Sequence, residues 1–94
     1  MRLRWTRQAF ADVQAAHDFI AEDNPDAAEA VKAKIEQAVE VLRKFPEVGR
    51  HGRVPGTREL VIMGTSYLVA YAVDKNEVHV LAVLHGNRKW PERF

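Results

Sequence analysis

Two short stretches hold the side chains best suited to act on charged groups. The first is the segment 47–57, EVGRHGRVPGT, which carries Arg50, His51 and Arg53 and runs into Arg58. The second follows the apolar run VHVLAVL and carries His85, Arg88, Lys89 and Trp90. A guanidinium offers forked donors that match a phosphate or a carboxylate. The imidazole side chain is suited to proton transfer near neutral pH, so His85, which follows a strand, is the best candidate for that role. Trp and Arg are also the residue types that dominate protein interfaces, so the same cluster suits recognition of a large partner. Each has a plainer reading. Arg58 can pair with Glu59 or Glu77 at the surface, His85 can cap a strand end, and Trp5 and Trp90 can close the edges of a core.

Other chemistries find little support. The four histidines, His17, His51, His79 and His85, show no metal-ligand spacing, and no cysteine is present. No metal site or cofactor is expected. His17 lies on an apolar stripe and reads as a core or interface histidine. Gly49, Gly52 and Gly56 do not precede a helix, so a phosphate loop fails its context test. Ser66 is the only serine, which leaves no basis for a nucleophilic triad.

The elements that must position these residues follow from the hydrophobic pattern. Segment 66–88, SYLVAYAVDKNEVHVLAVLHGNR, reads as two strands around a polar break at Asp74, Lys75, Asn76 and Glu77. With Lys75-Asn76 as the loop, Val73 faces Val78, Tyr71 faces Val80 and Tyr67 faces Leu84. Both faces of this hairpin are apolar, so it is expected at the centre of its sheet. Strict register would put Arg58 near the Asp74 turn, and whether it meets His85 depends on strand order. Upstream, Arg2-Leu3-Arg4-Trp5 alternates as a short strand. Thr6 is a helix cap, and Phe10, Val13, His17 and Ile20, with Ala16 beside them, form an apolar helical face. Asn24 caps a second helix, with Pro25 at its first position. That helix keeps its spacing through Phe45 until Pro46 stops it. Segment 47–57 reads as a loop, and 58–63 reads as a strand.

The order is therefore β-α-α-β-β-β. This is an α+β fold in which a helical hairpin packs on one face of a mostly antiparallel four-stranded sheet. The chain has 94 residues and a net charge of +1, enough for one domain over 1–94 with a thin core. It has neither a membrane-spanning run nor a signal-like N-terminus, and a cytoplasmic site is expected. Charge is unevenly distributed. Asp12, Asp18, Glu22, Asp23, Asp26 and Glu29 stand together without a cation, whereas Arg43, Lys44, Arg50, Arg53 and Arg58 face Glu47 alone. The basic segment is either a solvated surface or a face for an acidic partner.

In order and spacing, a strand, the helix pair around AEDNPDAAEAV, then FPEVGRHGR, TREL, YLVAYAV and VHVLAVLHGNRKWP resemble a toxin of the RelE/ParE superfamily from type II toxin–antitoxin modules. The resemblance covers nearly the whole chain and implies the same α+β fold. It also implies a cognate antitoxin as partner. RelE-like members cut mRNA on the ribosome with basic residues and a tyrosine or histidine near the C-terminus, and ParE-like members act on DNA gyrase. Gly86 stands where a RelE-like site has a basic residue, and the tail WPERF has no tyrosine. The expectation is a ParE-like toxin that binds gyrase, with Arg58, His85, Arg88, Lys89 and Trp90 contacting the target. The alternatives are a RelE-like ribosome-dependent endoribonuclease, using Arg58, His85 and Arg88, and a non-toxic relative that binds antitoxin only. The antitoxin is expected to fold along the groove between hairpin and sheet, its acidic flanks against the basic loop.

Overall fold

A computed structural model describes residues 1–87, 91, 93 and 94. The chain forms β1 (Arg2–Trp5), α1 (Arg7–Ala21), α2 (Pro25–Val41), β2 (Arg50–His51), β3 (Arg58–Val61), β4 (Tyr67–Asp74) and β5 (Glu77–His85). The sheet order is β1-β5-β4-β3-β2, with β1 parallel to β5 and the other pairs antiparallel. This is the expected α+β arrangement with one strand more. Segment 47–57 is not wholly a loop, because Arg50 and His51 pair with Glu59 and Arg58. Gly49 permits it. A Cβ there would lie 2.6 Å from the Tyr71 hydroxyl and 2.8 Å from the Glu59 carbonyl oxygen.

Local signals set the helix starts. The Thr6 hydroxyl accepts from the Ala9 N–H at 3.0 Å, and the Asn24 side chain accepts from the Ala27 N–H at 3.1 Å. Pro25 sits at the start of α2, where no N–H is needed. α2 ends at Val41, short of Phe45. The next three N–H groups bond three residues back, Leu42 to Val39, Arg43 to Glu40 and Lys44 to Val41. Phe45 still bonds four residues back, to Val41 at 2.9 Å, and Pro46, lacking an N–H, ends the run. Phe45 projects outward, 56% exposed.

The core joins both helices to one face of the sheet. Ala9, Val13, Ile35, Val39, Ile62, Val69, Val80 and Val83 form its centre, with Leu3, Trp5 and Leu60 packed against it. A second cluster of Leu42, Tyr71 and Val78 extends it beneath the end of α2. The inward stripe of α1 is Ala9, Val13 and Ala16, and Phe10 points out at 71% exposure. Leu68, Ala70 and Ala82 on the opposite face are also buried, in keeping with the central position of β4 and β5.

β4 and β5 pair as expected near their turn, Val73 with Val78 and Tyr71 with Val80. Beyond it the register shifts. Ala70 faces Ala82, so Leu81 is an extra residue, and Tyr67 stands opposite His85 instead of Leu84. The irregularity is held from outside. Thr6 donates its backbone N–H to the Val80 carbonyl at 3.1 Å and its hydroxyl to the Leu81 carbonyl at 2.9 Å.

Candidate functional site

Arg58 opens β3 opposite Tyr71 on one side and His51 on the other. Its Nη1 donates to the carbonyl oxygens of Glu47 at 3.2 Å and Gly49 at 2.7 Å. It does not pair with Glu59 or Glu77. Tyr71 grips the same turn from below, accepting from the Gly49 N–H at 2.9 Å and donating to the Pro46 carbonyl at 2.8 Å. Burial pushes the Tyr71 phenol above its ordinary value, against the opposing pull of the Gly49 N–H and the Arg58 guanidinium. The turn is thus fixed by an arginine and a tyrosine. Beside it opens a cleft of about 510 Å³ lined by Glu47, His51, Pro55, Arg58 and Val73 among others.

Arg50 and Arg53 have a different role from Arg58. Both converge on Glu59, whose side chain is only 3% exposed. Arg50 gives Nε at 3.2 Å and Nη2 at 3.0 Å to Glu59 Oε1, and the Arg53 backbone N–H donates to Oε2 at 2.8 Å. Burial alone would raise the Glu59 pKa. The Arg53 N–H, the Arg50 hydrogen bonds and the two nearby positive charges outweigh it and hold the carboxyl below its ordinary value. The two arginines remain half exposed, but one buried carboxylate fixes both of them.

His85 ends β5 and meets Tyr67 edge-on, ring centroids 5.4 Å apart at 86°. Its Nδ1 accepts the Asn87 N–H at 3.2 Å, which assigns the ring proton of the neutral form to Nε2. The pair lines a cleft of about 200 Å³ against α1, with Asp12, Ala15 and Phe19. Asp12 also accepts the Val83 N–H at 2.9 Å, on the stretch of β5 that β1 does not reach.

Arg58 and His85 are not brought together. They lie two strands apart and four residues along β4, which places them about 16 Å apart at standard strand spacings. The proposed RelE-like set is therefore not assembled by the sheet from these two. Arg88, Lys89 and Trp90 lie outside the described residues. The residue types that do meet are Arg58 with His51 and Glu47, and His85 with Tyr67 and Asp12. Tyr67, Asp12 and Glu59 were missed by sequence reasoning. A glutamate in a strand after a basic segment was a usable signal for Glu59. The pairing of Tyr67 depends on Leu81 and had no local signal.

Comparison with known proteins places this geometry. The family model for the ParE toxin of the type II toxin–antitoxin system parDE matches residues 3–90. Putative toxin Y4kP of Sinorhizobium fredii is 38% identical over 91 residues, covering 97% of this chain and 94% of that protein. Toxin RelE2 of Caulobacter vibrioides is 33% identical over 84 residues, covering 89% of this chain and 93% of that protein. A chain of the chromosomal ParDE system from P. aeruginosa superposes with a TM-score of 0.72 at 29% identity, covering 88% of this chain and 92% of that chain.

Proposed function

Because the chain belongs to the ParE family of type II toxins, we propose that it inhibits growth by binding DNA gyrase in the cytoplasm and is neutralised by a cognate antitoxin. The solved relative is described as part of a ParDE system, which supports an antitoxin partner. Gyrase follows from the ParE side of the family resemblance. The observation that carries the choice is the separation of Arg58 from His85. Cleavage of RNA needs a base, an acid and positive charge around one phosphate. Arg58 is instead tied to the carbonyls of Glu47 and Gly49, about 16 Å from His85 at standard strand spacings. Binding a large partner requires no such set; His85 at the end of β5, with Arg88, Lys89 and Trp90 after it in the sequence, supplies residue types that suit it.

One observation favours a second reading. Tyr67 supplies another proton-bearing group beside His85, as a RelE-like ribosome-dependent endoribonuclease would require. Purified toxin, freed from its partner, is expected to inhibit gyrase supercoiling and to leave ribosome-bound mRNA intact. Position-specific cleavage of mRNA on ribosomes, lost in His85→Ala, would overturn the gyrase reading.

A further inference from the structure

The positive charge of segment 47–58 divides into two parts. Arg50 and Arg53 are anchored on buried Glu59. Arg58 uses only Nη1 to hold the turn, and among the described residues neither its Nε nor its Nη2 has a hydrogen-bond partner. Arg58 is half-buried and its outer partner across the strands is His51. Both line the 510 Å³ cleft, together with Pro55 and Val73, which is 38% exposed.

We infer that this cleft is a carboxylate subsite, and that it takes an aspartate or glutamate side chain of the antitoxin with an apolar residue beside it. The inference rests on the partner reading above for the identity of the donor. The chemistry comes from the cleft. A guanidinium already oriented by two carbonyls has lost its rotamer freedom before any ligand arrives, so its free edge binds an oxyanion at little further entropic cost. His51, the cross-strand partner of Arg58, adds an imidazole N–H as a second donor. Pro55 and Val73 offer an apolar wall to the neighbouring residue. Glu47 lines the same cleft, which disfavours a densely charged polyphosphate chain. Among the described residues no Phe, Tyr or Trp lines the cleft, and its one ring is the imidazole of His51, a smaller platform for a base. A single carboxylate on a protein segment therefore fits better than nucleic acid.

The test uses the full-length toxin, ¹⁵N-labelled, titrated with two capped peptides and a single-stranded DNA oligonucleotide. One peptide alternates Glu with Leu and Val, and the other has every Glu replaced by Gln. The acidic peptide is expected to shift the Arg58 Nε–H resonance and the amides of Gly52 and Gly56, and the Gln peptide is not. Loss of a charged hydrogen bond predicts about ten- to a hundredfold weaker binding in Arg58→Lys. Val73→Asp provides a variant at a partly exposed position and puts a carboxylate into the cleft, so it should abolish the shifts with the fold intact. Equal response to both peptides, no response at these resonances, a response to the oligonucleotide alone, or binding unchanged by Val73→Asp would each overturn the proposal. The peptide result stands apart from the partner reading. If the acidic peptide binds as described and a candidate cognate antitoxin forms no complex, the partner reading fails and the carboxylate subsite remains.

Discussion

Tyr67 lies directly across from His85, its ring edge against the imidazole, because β5 carries Leu81 as an extra residue. Two side chains from the start of the chain hold that arrangement. Thr6 binds the Leu81 carbonyl, and Asp12 binds the Val83 N–H. The shift brings a phenol, an imidazole and a carboxylate to the rim of one cleft.

The first prediction concerns Asp12. Asp12→Ala leaves the N–H of Val83, a residue 6% exposed, without its acceptor. The expected cost is about 1–3 kcal/mol in urea unfolding, with Asp12→Asn recovering most of it. Tyr67–His85 ring contacts, measured by NMR, should weaken in the alanine variant and persist in the asparagine variant. Unchanged stability and contacts in Asp12→Ala would show that the bulge holds itself.

The second prediction concerns acid stability. The Glu59 pKa is lowered in the folded protein from an ordinary value of 4.5. A depressed folded pKa contributes stability that is present above the unfolded value and is lost as pH falls toward the folded one. Wild-type stability should therefore fall below about pH 4.5 more steeply than that of Glu59→Gln. At neutral pH the variant should be less stable by about 1–3 kcal/mol, a modest figure because water reaches both half-exposed arginines. Parallel melting-temperature curves for the two proteins through the acid range would refute the assignment.

These relationships also mark how much was legible beforehand. Thr6, Asn24 and Pro25 act within one helical turn, so their roles could be read from neighbours. The hairpin pairs nearest the Asp74–Glu77 turn were legible for the same reason. The bulge was not, because its partners Thr6 and Asp12 are 75 and 71 residues away from the carbonyl and N–H they bind. Phe10 misled because apolar spacing marks a stripe without saying which edge of it faces in. Small Ala9 and Ala16 let α1 lie close on the sheet and turn Phe10 outward. Strict register puts Arg58 near the Asp74 turn, and it stands opposite Tyr71. Its bonds to the Glu47 and Gly49 carbonyls were not legible, because they depend on β2, a two-residue strand that needs Gly49.

The third prediction lies at the opposite end of the pH range. His17 on α1 bridges Asp18 and, across to α2, Glu29. Hydrogen bonds to Asp18 first and Glu29 second raise its pKa above 6.5. A raised folded pKa gives stability that is complete below the unfolded value and lost as pH rises through the folded one. The melting temperature should drop as pH rises above about 6.5, and His17→Gln should remove that drop. Because the clasp is at the surface, salt should weaken it. An identical pH profile in His17→Gln would mean that the clasp contributes nothing.

The last prediction concerns where the antitoxin lies. Trp5, Phe10 and Val13 floor a groove of about 460 Å³ whose far wall comes from Lys32, Glu36 and Glu40 of α2. This groove runs between the two helices at the β1 edge, and its most exposed apolar side chain is Phe10. A phenylalanine so exposed gains little for the free toxin, but it would be largely desolvated beneath an amphipathic helix. Phe10→Asp is therefore expected to change unfolding stability by no more than about 0.5 kcal/mol. It should weaken the complex with the cognate antitoxin at least about tenfold by calorimetry, the scale of an aromatic hot spot. Glu40 is already paired with Arg43 at 2.9 Å, so its loss in Glu40→Gln should matter far less. If Phe10→Asp binds as tightly as wild type, the helix groove is not the antitoxin's seat.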